Sequence, residues 1–175
     1  MQVSDIRRPS PSEYVSYYER YITLVPSGNI ISILREQFID TMKLLQSIDE
    51  NKANYRYGDD KWSIKEVVGH LTDTERIFAY RSLRIGRNDK TPLAGFEQDD
   101  FVKNANFDKR NFTDICIELK YVRESTLALL KSYDKTTWMY EGVASGFNFT
   151  VRAIAYIIAG HELHHRNILN ERYLT

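Results

Sequence analysis

Thr150-Val151-Arg152-Ala153-Ile154-Ala155-Tyr156-Ile157-Ile158-Ala159-Gly160-His161-Glu162-Leu163-His164-His165 is the stretch that decides the fold. Thr150 can cap a helix, and the apolar residues behind it recur at three and four positions, so a helix is predicted from Thr150 to about Arg172. Ile154, Ile157 and Ile168 form its core stripe. His161 and His165 are four residues apart, about 40° around the helix, and fall on that same stripe. A helix with two imidazoles on its inner face must bury them against other helices, and buried imidazoles need partners. Four residues is also the spacing at which two histidines close on one metal ion. His164 is rotated by about 100° from His165 and reads as a surface or interface residue.

Working outward, the chain is almost wholly helical. Ser12 to Tyr21 reads as a short aromatic-rich helix ended by Pro26-Ser27-Gly28. A long helix runs from about Asn29 to Ser47, with Ile30, Leu34, Phe38, Met42 and Leu45 at helical spacing. Asp49 to Asp60 is polar and reads as a loop. Ser63-Ile64-Lys65-Glu66 is a capping box that opens a second long helix to about Arg87. Gly86 to Arg110 carries Pro92 and Gly95 and no sustained period, and reads as a surface excursion. A third helix starts near Asn111 or Thr113, with the stripe Phe112, Ile115, Cys116, Leu119, Val122, Thr126 and Leu130. Gly142 and Gly146 mark a loop or short hairpin. Four long amphipathic helices behind a short N-terminal helical extension give an all-α four-helix bundle, in which at least one connection crosses the bundle.

Length and composition bound the function. The 175 residues are 42% hydrophobic and 27% charged, which fits one globular domain over 1–175 with its bundle core at about 27–173. Lys+Arg and Asp+Glu both total 24, so no basic footprint points to nucleic acid or to an anionic membrane. No apolar run approaches membrane-spanning length, and the first residues lack the apolar centre of a signal peptide. A cytoplasmic location is expected. Twelve tyrosines, eight phenylalanines and two tryptophans are many for a small core. With Tyr14, Tyr17, Tyr18 and Tyr21 clustered, they suggest a homodimer that buries some of them.

The chemistry rests on the histidines. His70 stands beside Val67 and Leu71 on the core edge of the second helix, and is the only histidine left to join His161 and His165 as a third ligand. Three protein ligands leave an open coordination position, the catalytic rather than the structural pattern. Zinc is the first expectation; nickel, iron and manganese also suit three imidazoles and water. The run also matches H-E-x-x-H, in which Glu162 would be a protease base. No histidine follows His165 to complete that site, so Glu162 is equally a solvated or second-shell carboxylate. Thr74 and Arg81 follow His70 on nearly the same helical face. Both are candidates to line the pocket, with Arg81 binding a substrate carboxylate or else closing a salt bridge. Asp99 and Asp100 either cover the pocket mouth or form a solvated acidic loop. Cys116 reads as a buried small hydrophobe.

Trp62-Ser63-Ile64-Lys65-Glu66-Val67-Val68-Gly69-His70-Leu71, then Asp73-Thr74-Glu75-Arg76, Gly95-Phe96-Glu97-Gln98-Asp99-Asp100-Phe101 and the terminal Gly160-His161-Glu162-Leu163-His164-His165 together resemble the DinB-like (DNA-damage-inducible, YfiT-type) superfamily. The resemblance spans about residues 25 to 175. It implies an up-down-down-up four-helix bundle, often dimeric, with a divalent metal held by His70, His161 and His165. It also implies an S-transferase or isomerase that uses a low-molecular-weight thiol such as bacillithiol or mycothiol. A metal-dependent hydrolase of a small molecule and a non-catalytic, stress-associated metal-binding protein remain as alternatives.

Overall fold

A computed structural model describes residues 6–174. In chain order its helices are α1 (Glu19–Ile22), α2 (Ile30–Gln46), α3 (Glu50–Ala53), α4 (Ile64–Gly86), α5 (Gln98–Ala105), α6 (Phe112–Lys131) and α7 (Val151–Ile168). Three of the four long helices begin where polar side chains can satisfy their free N–H groups. Asn29 accepts from Ile31 and Ser32, and Thr150 accepts from Ala153. Ser63 and Glu66 form the reciprocal capping box, at 3.2 and 2.7 Å. For α6, the N–H of Phe112 donates to the Glu50 carboxylate at 2.8 Å.

The long helices form a bundle with an unusual order. α4 and α6 run parallel, because Lys65 near the start of α4 reaches the Asp108 carbonyl just before α6, while Ser82 near its end meets Tyr133 just after α6. α2 and α7 also run parallel to each other and opposite to that pair, so the sense is up-down-down-up. α2 packs on α6 and α7, and α4 likewise packs on α6 and α7. The apolar interior falls into two clusters, one around Leu34, Phe78, Leu130, Ile154 and Ile158, the other around Leu45, Val68, Ile115, Leu119 and Leu169. Between them along each helix come Gln37 and Thr41, His70, Thr74 and Glu75, Arg123, and His161 and Glu162, which are polar and buried.

Three stretches differ from the sequence expectation. Ser12 to Tyr21 is not one helix: two 3-10 turns, Pro11–Glu13 and Ser16–Tyr18, precede α1, with Tyr14 extended at φ −156° between them. The cause is tertiary. Glu13 is drawn into an ion pair with Arg152 and accepts from Thr150 at 2.8 Å, which pins this segment to the start of α7. Asp49 to Asp60 contains α3, whose Glu50 serves both Phe112 and the buried Lys65. The 86–110 excursion contains α5, which buries only Val102 and so has too narrow an apolar face to show a period.

The segment before α7 is a hairpin, β1 (Glu141–Ala144) antiparallel to β2 (Phe147–Thr150), closed by Ser145 and Gly146 at φ 52° and 81°. Two positive φ angles are what a two-residue hairpin turn of this hand requires. Leu93 bridges to Ala144 and ties the α4–α6 connection to the hairpin. No helix among the described residues is long and apolar enough to cross a membrane.

Burial works against the Glu13 carboxylate, but Arg152, Ser10 and Thr150 outweigh it and bring its pKa to about 2, below the ordinary 4.5. A depressed folded-state pKa gives stability that is full above 4.5 and is lost as the pH falls toward 2. Glu13→Gln should therefore be less stable than the parent at pH 7 by urea unfolding, and the difference should shrink between pH 4.5 and 2.5.

Candidate metal centre

His70 reaches the centre from α4, and His161 and His165 reach it from α7, which runs antiparallel beside it. Nε2 of His161 lies 3.1 Å from Nε2 of His70 and 3.1 Å from Nε2 of His165. All three offer a ligand atom within 4.8 Å of the others. Two glycines permit the approach of the segments that enclose them. A Cβ on Gly69 would stand 2.3 Å from the Phe107 ring, and one on Gly160 would stand 2.0 Å from the Tyr21 carbonyl oxygen. Each glycine directly precedes a histidine of the group.

The surroundings keep the imidazoles neutral. Burial pushes the His70 pKa down to about 4, and burial with neighbouring imidazoles holds His161 and His165 well below 6.5. The Thr74 hydroxyl lies 3.4 Å from His70 Nδ1. A proton on Nδ1, donated to Thr74, leaves the Nε2 lone pair facing the other two rings. Trp62 packs on His70 with ring centres 4.7 Å apart, and Tyr21 meets His161 edge-on at 5.3 Å. Three neutral nitrogens facing one point cannot all be satisfied by one another, since a hydrogen bond joins only two. The donor set suits a divalent cation that accepts imidazole.

A cavity of about 310 Å³ opens beside the histidines. Its wall includes His70, His161 and Thr74, the aromatic residues Tyr18, Phe78 and Phe96, and at the exposed rim Glu97 and Asp99. Of the two aspartates considered for the mouth, Asp99 lines the cavity and Asp100 does not. His164 turns from the group and packs against Tyr21 at 5.1 Å. Arg81 makes no salt bridge among the described residues; it lies near the rings of Phe78 and Phe96. Cys116 is buried with its thiol pushed up to about 12, so it is no nucleophile at neutral pH.

One expectation is corrected. Glu162 is neither solvated nor free to act as a base. It is buried, ion-paired to Arg123 at 2.7 Å, and accepts from Gln37 at 2.6 Å and from Thr41. The expectation assumed one buried face, whereas α7 is buried almost all round from Val151 to Leu163, so the side away from the histidines is core as well. Tyr14 and Tyr21 are buried within the chain, and Tyr17, Tyr18 and Tyr21 line the cavity. Their periodicity carried no sign of this, because an edge-on contact with a histidine 140 residues away is a property of the fold.

The DinB superfamily profile matches residues 33–169, and the chain belongs to that superfamily. Among solved structures, the chain is similar to YfiT from Bacillus subtilis, described as a probable metal-dependent hydrolase with an unusual four-helix bundle topology. The TM-score is 0.70 at 14% identity, over 94% of this chain and 90% of that one. It is also similar to a DinB-like protein, YjoA, from Bacillus subtilis, with TM-score 0.60 at 21% identity over 83% of this chain and 90% of that one. None of the curated proteins matches the sequence.

If Glu162 serves the core, Glu162→Gln should lower stability by roughly 1–3 kcal/mol, because Arg123 keeps only one carboxylate. Metal content should stay at the parent level. Full stability with lost metal, read by thermal melting and elemental analysis, would return Glu162 to the site.

Proposed function

We propose that this DinB-superfamily chain is a metal-dependent enzyme in which His70, His161 and His165 hold one divalent ion and the adjoining cavity takes a small-molecule substrate. The observation that carries this reading is the convergence of three neutral imidazole nitrogens within 4.8 Å beside a cavity of about 310 Å³. Zinc is favoured, since three histidines suit its tetrahedral preference and leave a position for substrate. When bound, such an ion supplies the charge that lets a thiol or a water act as its anion at neutral pH.

The chain's own residues do the rest. Thr74 fixes the tautomer and orientation of His70, and Trp62 limits the tilt of its ring. Tyr18, Tyr21, Phe78 and Phe96 exclude water from the inner wall and present apolar surface to the substrate. The substrate reading is a low-molecular-weight thiol, such as bacillithiol, transferred to an electrophile. Two features support it. Glu162 is committed to Arg123, and the carboxylates of Glu97 and Asp99 stand at the solvent rim, so neither kind of carboxylate is placed on the inner wall as a base for hydrolysis. A thiol need only release one proton before it attacks. Hydrolysis of a small molecule is the second reading, favoured by the description of YfiT. A homodimer remains part of the proposal, with an interface outside the buried Tyr14 and Tyr21; light scattering tests it.

Alanine at His70, His161 or His165 should strip most of the metal, whereas His164→Ala should keep it; equal losses for His164→Ala and His165→Ala would overturn the ligand assignment. In cobalt-substituted protein, bacillithiol or cysteine should raise a sulfur-to-metal charge-transfer band that His161→Ala abolishes. A hydrolase would show no such band and would turn over esters or amides without thiol. Full metal with neither band nor turnover would leave the non-catalytic metal-binding role.

A further inference from the structure

Two arginines are buried to 2% exposure or less, and the chain treats them differently. Arg123 is held by two carboxylates, Glu75 at 2.7 Å and Glu162 at 2.7 Å. Arg81 has none among the described residues. One terminal nitrogen, Nη2, donates to the Ala94 carbonyl at 3.0 Å and to the Ser145 hydroxyl at 2.8 Å, which uses both of its protons. The Tyr18 hydroxyl is near enough to interact electrostatically with the guanidinium, and the rings of Phe78 and Phe96 lie 5.2 and 5.9 Å from the guanidinium carbon. A buried cation with only neutral acceptors carries a desolvation cost that its neighbours offset in part.

Its position gives that charge a use. Tyr18, Phe78 and Phe96, which lie around Arg81, also line the cavity together with His70 and His161. The hairpin turn places Ser145 against Arg81, and the N–H of Ser145 donates to the Leu93 carbonyl at 2.9 Å. Tyr18 lines the cavity, feels the charge of Arg81 and can donate its own proton into the cavity, and burial keeps that hydroxyl protonated. Glu97 and Asp99 at the rim are exposed, so water screens them, whereas Arg81 acts through a medium of lower dielectric.

We propose that Tyr18 and Arg81 form an anion subsite of the metal cavity, which anchors a carboxylate of the substrate while its reacting end faces the histidines. The location of the reacting end rests on the metal-dependent reading above; the anion subsite itself does not. Arg81 supplies the charge from beside the wall, and Tyr18 supplies the donor that touches the ligand, so Tyr18 is the binding residue and Arg81 the positioning residue. A carboxylate is favoured over a larger anion because one hydroxyl and one screened fork offer few donors.

The test uses the full chain, metal-free and cobalt-loaded, with sodium propionate as probe against sodium chloride at equal ionic strength and neutral pH. Propionate should raise the melting temperature of the parent by about 2–4 °C in both forms. Arg81→Leu and Tyr18→Phe should lose the rise, while Arg20→Ala, which removes an exposed cation of α1, should keep it. Should Arg81→Leu fail to fold, Arg81→Lys replaces it and is expected to lose at least half the rise, because an ammonium cannot hold Ser145, Ala94 and Tyr18 together. No propionate-specific rise in the parent, or an equal rise in the Arg81 variants, overturns the subsite. Failure of the metal reading shows separately, as absence of the cobalt spectrum while the propionate result stands.

Discussion

The buried guanidinium of Arg123 is the constraint on which the rest of the structure depends. It joins Glu75 of α4 through two bonds, at 2.8 and 2.7 Å, joins Glu162 of α7, and donates to the Leu34 carbonyl of α2 at 3.0 Å. One side chain of α6 thus ties together all three other long helices. Burial opposes its charge, but Glu162 and Glu75 hold it firmly protonated. This cluster of two carboxylates and one arginine borders the histidine site. His161, Thr74, Glu75, Arg123 and Glu162 line one small shared void. An ion pair of this kind adds little to stability over an apolar core of the same volume, but it tolerates no change of register among the helices. That is what a three-ligand site needs, because a shift of one helix by one residue would remove a ligand.

The polar layer also explains why the interior falls into two apolar clusters rather than one. Each long helix has to carry polar residues at mid-length and remain amphipathic above and below them. The enclosure of the layer is then completed from outside the bundle. On one side Phe107 lies flat against Gly69, and on the other the Tyr21 backbone lies against Gly160. The N-terminal segment that supplies Tyr21 is short and irregular, yet Glu13 pins one end of it to Arg152, and Arg8 binds the carbonyls of Ile22 and Val25 at the other. A segment fixed at both ends can place aromatic rings over a site without being helical itself. The two buried arginines show the same division of labour in electrostatic form: the one in the bundle centre is neutralised within the chain, and the one beside the cavity is not.

Much of this was legible in the sequence. The four long helices followed from apolar spacing, and the caps at Ser63 and Thr150 were visible as residue types at the right positions, because helix starts are local events. The grouping of His161 with His165 followed from helical geometry, and the third histidine from there being no other on a core face. Membership of the superfamily was carried by short motifs in a fixed order, each of them a piece of α4, of the 86–110 connection or of α7.

What only the tertiary structure decided is where the sides of a helix go when more than one of them is buried. Sequence periodicity reports a single apolar face, so Glu162 read as outward, although α7 is surrounded and the carboxylate meets Arg123, Gln37 and Thr41. The N-terminal tyrosines read as spare aromatic surface, and only the close approach at Gly160 turns them onto the histidines. Arg81 could be assigned a face but not a partner, since what it lacks, a carboxylate, is known only once every neighbour is in place. Local spacing determined the elements and the ligands on them; contacts between residues far apart in the chain, which leave no periodic trace, determined what those elements enclose.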